Sequence, residues 1–124
     1  MGYMRDHAIV VVCSYGDHLA KAHAEASRIF DAATEAGGIA PSAITPEAVN
    51  GSQAFFIPPD GSKEGWPESD AGDDRRAKFI AYLNSTKYED GSSPLKWVEM
   101  RVSDDDNQLT IERGYVTPSV SVAD

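Results

Sequence analysis

Residues 7–37 read HAIVVVCSYGDHLAKAHAEASRIFDAATEAG, and the rest of the chain is organised around this stretch. Ala8 to Cys13 is a continuous apolar run with three successive valines. A branched Cβ is stiff at χ1 and packs well on a pleated surface, so the run predicts a strand. It is apolar on both side-chain parities, the signature of a strand covered on both faces or lying centrally under helices. Gly16 breaks the pattern, and Asp17 stands where an N-cap belongs. From His18 to about Ala36, Leu19, Ala22, Ala26, Ile29, Phe30 and Ala33 recur at three- and four-residue spacing and form one stripe. Lys21, Glu25, Arg28, Asp31 and Glu35 fall opposite, and Gly37-Gly38 supplies a stop. The alanine-rich stripe predicts a helix lying close on the sheet.

Working outward, residues 39–52 hold two prolines and small polar residues, a surface connection with a short extended piece near Ile44. Asn50-Gly51 is a turn signal. Gln53 to Pro58 predicts a short strand ended by Pro58-Pro59. The segment PDGSKEGWPES then predicts an ordered surface loop. Asp70 reads as the N-cap of a second helix, Ala71 to Ser85, with Phe79, Ile80 and Leu83 as its apolar face. LKWVEMRVS, residues 95–103, alternates. On apolarity alone, Val98, Met100 and Val102 are assigned to the core and Trp97, Glu99 and Arg101 to the outside. After a turn at Asp104 to Asn107, residues 108–115 return with Leu109 and Ile111 inward. A turn of even length sets Val102 opposite Leu109 and Met100 opposite Ile111, a hairpin with its apolar residues on one face.

The order strand, helix, strand, helix, strand, strand implies an α+β fold: a single mixed sheet, two helices on one face and a C-terminal hairpin. The 124 residues suit one domain, 1–124, with residues 1–5 and 117–124 expected as flexible ends. The formal net charge of -9 argues against nucleic acid and anionic membrane as partners, and permits a cation or a protein with a basic surface. No apolar run reaches the roughly 20 residues that span a bilayer. The opening residues carry no signal-peptide pattern, so a cytoplasmic location is expected.

The single cysteine excludes an intrachain disulfide and a Cys-rich metal site. Cys13 precedes a helix start and has His18 nearby in sequence as a base, which makes this pair the sharpest catalytic candidate. A small buried hydrophobe is the commoner role for such a cysteine. His18 and His23 are five residues apart, on different flanks of the helix, so no metal site and no cofactor are expected. The loop is the better place for binding: of Asp60, Ser62, Lys63, Glu64 and Trp66, Ser62 and Lys63 suit an anion and Trp66 a stacked ring. The acids between Asp60 and Asp74 form a ridge suited to a basic groove.

The phrases IPPDGSKEGWPESDAGDDRRAKFIAYL and YEDGSSPLKWVEM resemble those of small uncharacterised proteins of bacteriophages and prophages. The resemblance covers the middle half of the chain and implies no activity and no functional residue. The expectation is therefore a non-enzymatic interaction or accessory protein, for which homodimerisation is open, working through the 58–70 loop or a sheet edge. The alternative is a small enzyme or ligand-binding protein using Cys13 or that loop on an anionic or nucleotide-like ligand.

Overall fold

The computed structural model describes residues 5–30, 39–61, 65–103 and 109–116. Strand β1 (Arg5–Cys13) is followed by helix α1 (Gly16–Ile29), β2 (Gln53–Ile57), α2 (Pro67–Ser85), β3 (Lys96–Ser103) and β4 (Leu109–Gly114). The four strands form one sheet in the order β2-β1-β3-β4. This is the expected α+β class. The pairings are all antiparallel, so the sheet is not mixed.

The antiparallel β1–β2 pairing requires the chain to return past the end of α1 before β2 begins. Residues 42–48 make that return alongside β2. Ser42 N donates to Phe56 O (2.8 Å), Thr45 N to Ala54 O (2.9 Å) and Ala48 N to Ser52 O (2.9 Å). Asn50 and Gly51 turn the chain into β2 with φ of 62° and 75°, the left-handed region that Asn and Gly tolerate best. The extended piece near Ile44 and the Asn-Gly turn are both where the sequence places them.

One core lies between the helices and one face of the sheet. Leu19, Ala22, Ala26 and Phe30 from α1 meet Phe79, Ile80 and Leu83 from α2 over Ile9, Val11, Phe55, Ile57, Leu95 and Trp97. Phe79 is edge-on to Phe30, ring centroids 6.0 Å apart, and tilted against Phe55 at 6.3 Å. Ala22 and Ala26 of the stripe are both fully buried in that core.

Both helix starts differ from expectation. Tyr15, not Asp17, is the α1 N-cap. The α2 helix begins at Pro67, four residues before Ala71, with Trp66 as N-cap. Proline at the first helical position has no N–H to leave orphaned and a φ already suited to the helix. The Trp66 carbonyl accepts from Ser69 N and Asp70 N, so Asp70 sits inside the first turn.

The largest correction concerns β3. Its register with β1 sets Val11 opposite Trp97 and Ile9 opposite Glu99. Trp97, Glu99 and Ser103 are therefore buried beneath the helices, while Met100 and Val102 are exposed. The hairpin register itself is as expected, Val102 opposite Leu109 and Met100 opposite Ile111. The apolar set does share one face, but that face is the one the helices do not cover. Leu109 is 79% exposed and Ile111 54%. Side-chain alternation groups residues by face; it does not say which face the helices take.

Candidate functional site

The covered face is not apolar throughout. At one end, α2 presents Arg76 in place of a hydrophobe, and Glu99 reaches up from β3 to meet it. Glu99 is 1% exposed. Arg113 Nε of β4 donates to its Oε1 at 2.7 Å, His7 Nδ1 of β1 lies 3.5 Å from Oε2, and Arg76 Nε lies 3.7 Å from the same oxygen. Arg76 also faces Asp60 Oδ2 at 3.7 Å and hydrogen-bonds Asp73 one turn earlier. Burial pushes the Glu99 carboxyl up, but the Arg113 hydrogen bond and charge, with the His7 ring 3.5 Å away, outweigh it and hold the pKa at about 2. The partner effect on Arg113 is upward, through the same hydrogen bond. An open cleft of about 550 Å³ lies beside this cluster, bordered by His7, Asp73, Glu99, Arg101, Glu112 and Arg113. Glu99 stays ionised near neutrality with its oxygens engaged, so it is an anchor for arginines and not a proton carrier.

The candidates singled out from sequence lie elsewhere. Cys13 is buried, and its Sγ lies 3.0 Å from Pro94 O and 3.3 Å from Tyr15 O as a donor and accepts from Tyr15 N. His18 packs edge-on to Tyr15 and Tyr88. Cys13 borders a depression with Ser93 and Lys96, His18 borders another with Asp17 and Tyr88, and Tyr15 borders both. His23 Nε2 lies 2.9 Å from Ser42 O, which ties α1 to the returning segment. Among the described residues no group of three His, Cys, Asp or Glu is placed to hold a metal ion.

Of the loop residues, Asp60 faces Arg76 and Trp66 is 45% exposed at the start of α2. Ser62, Lys63 and Glu64 lie outside the described residues, as does the 104–107 turn. The acidic ridge is partly neutralised within the chain. Asp60 and Asp73 face Arg76, and Asp74 pairs with Lys78 at 3.1 Å.

The uncovered face of the sheet is the more distinctive surface. Val10 and Val12 of β1 lie beside Val98 of β3 and Phe56 and Ala54 of β2, and Ala8, Met100 and Ile111 form the next row. Phe56, Met100, Val102, Leu109 and Ile111 are exposed there, and Val12 joins them. By strand parity, the charged residues on this face among the described strands are Asp6 and Lys96, at opposite ends of the central pair β1 and β3. Sequence reading missed this surface because it assigned the same residues to the core. The signal was present in β1, whose apolar residues on both parities ask for two covering layers, of which one is seen.

Among the described residues, no helix is long and apolar enough to cross a membrane. Comparison of the chain with protein-family models, with curated proteins and with solved structures found no match.

Proposed function

We propose that this is a small non-enzymatic interaction protein whose contact surface is the uncovered face of the sheet. The partner is an apolar protein surface that carries its charges at the margin. One observation carries the reading: four neighbouring strands present contiguous rows of Val, Met, Ile and Phe to solvent, with charge confined to the ends. A patch of this extent matches the largest patch on ordinary single chains, which is often a contact site. At ordinary strand spacing the four strands span roughly 440 Å² in projection. An area of that size is small for a protein contact, and the cost of association leaves only a small surplus. The expected complex is specific but modest in affinity. A purely basic partner finds fewer unpaired acids than the composition offers, since Arg76 and Lys78 engage Asp60, Asp73 and Asp74.

The test is site-specific photo-crosslinking in cells producing the protein. Benzoylphenylalanine replacing Phe56 or Val102 should give discrete adducts, and the same group replacing Ala20, exposed on α1, should not. No adduct from position 56, or equal adducts from position 20, refutes the assignment of the contact surface.

A further inference from the structure

We infer that the layer missing from the uncovered face is a second copy of this chain, stacked sheet on sheet about a two-fold axis that runs across the strands. This rests on the reading of that face as the contact surface. Two copies packed face to face with their strands aligned have their two-fold axis in the plane between the sheets, close to the strand direction or close to its perpendicular. The two choices differ in what they do with charge. Asp6 stands at one end of β1, opposite Val102, and Lys96 stands at the other end of β3, opposite Val12. An axis along the strands gathers both Asp6 residues at one end and both Lys96 residues at the other. An axis across the strands reverses the ends, so each Asp6 end lies over a Lys96 end, twice per dimer. Opposite-charge placement of this kind selects one docking orientation over another.

Shape agrees with the same operation. Centred midway between Asp6 and Lys96, it lays the row Val10, Val98, Gly114 over the row Ala8, Met100, Ile111 of the second copy. Val10 meets Ala8, and Ile111 meets Gly114, where the carbonyls of Val116 and Trp97 lie 3.3 and 3.5 Å from the position of a Cβ. An apolar notch of about 150 Å³ opens beside Gly114, bordered by Trp97, Val98, Tyr115, Val116 and the Ile111 of the same copy, and Ile111 of the other copy is laid against its rim. A second sheet of equal size covers the face completely. Standard interfaces bury about 800 Å² per partner, and a projected area of roughly 440 Å² puts this one at the low end even after corrugation. The dimer is therefore expected at micromolar concentrations. The contact is isologous and closes on itself.

The experiment is sedimentation of the full chain over a wide concentration range, with circular dichroism confirming the fold of each variant. The wild type should show a monomer–dimer equilibrium. Asp6→Asn and Lys96→Gln should each raise Kd by about two- to fivefold, given two symmetry-related contacts per dimer. Asp6→Asn must do so although it reduces the magnitude of the net negative charge. Asp6→Lys and Lys96→Asp should each weaken the dimer further, and the double swap should return Kd to within about twofold of the wild type. Neutralising variants that tighten the dimer, or a double swap that stays as weak as the singles, overturn the axis. A wild type that is monomeric throughout overturns the second copy as occupant. Adducts from position 56 to a different protein would then leave the contact surface itself standing.

Discussion

Glu99 offers the sharpest test of how the fold holds charge. Glu99→Gln keeps the shape of the side chain and removes its charge, leaving Arg113 and Arg76 without their shared buried anion. The carboxyl ionises at about 2 in the folded protein against 4.5 for an unhindered glutamate. That difference is worth roughly 3 kcal/mol near neutral pH by linkage. The sign follows from the downward shift. The stabilisation is complete above the unfolded value and is lost as pH falls from about 4.5 through about 2. Urea unfolding of wild type and variant, at concentrations well below self-association, should therefore differ by roughly 3 kcal/mol at pH 7 and by only about 1 kcal/mol at pH 3. A gap below about 1 kcal/mol at pH 7, or one that does not narrow between pH 5 and pH 3, refutes the picture of an ionised carboxylate holding three elements together.

Two further outcomes are open to direct measurement. A Cβ at Gly72 would land on the Asp60 carboxylate and within 3.3 Å of Arg76 Nη1, so Gly72→Ala should destabilise by about 1–3 kcal/mol in spite of the better helix propensity of alanine. Thermal unfolding that shows the variant as stable as the wild type would mean Asp60 is not held over α2. Because each copy carries a net charge of -9, raising NaCl from roughly 20 to 300 mM should tighten self-association several-fold by screening the repulsion between copies. Weakening with salt would show that charge attraction, not apolar burial, drives the contact.

What was legible in the sequence was local. Val10–Val12 is stiff and pleated, the stripe from Leu19 to Phe30 has helical spacing, and the hairpin register follows from matching Val102 to Leu109 and Met100 to Ile111. These depend on neighbours in the chain or on one turn. The burial of Trp97 and Glu99 depends on which residue of β1 each opposes, and that is fixed by packing over tens of residues of separation. Hydrophobicity alone argues for Met100 and Val102 inside, and it loses because Leu95 and Trp97 fill the core beneath the helices. The charged cluster was hidden for the same reason. His7, Arg76, Glu99 and Arg113 come from four elements, and no spacing in the chain announces their meeting. The early start of α2 was readable in principle from Pro67, a residue suited to a first helical turn.

The segment that returns beside β2 has a bearing on aggregation. It fills the hydrogen-bonding positions along that side at Ser42 and Thr45, and Pro41 and Pro46 bracket it with residues that cannot donate outward. Among the described residues, a foreign strand seeking to extend the sheet finds a template along β4 and a blocked flank along β2. Two molecules that zip together through their β4 margins would each offer the next arrival only the guarded flank, so lateral growth ends at a pair and does not run on into a fibre.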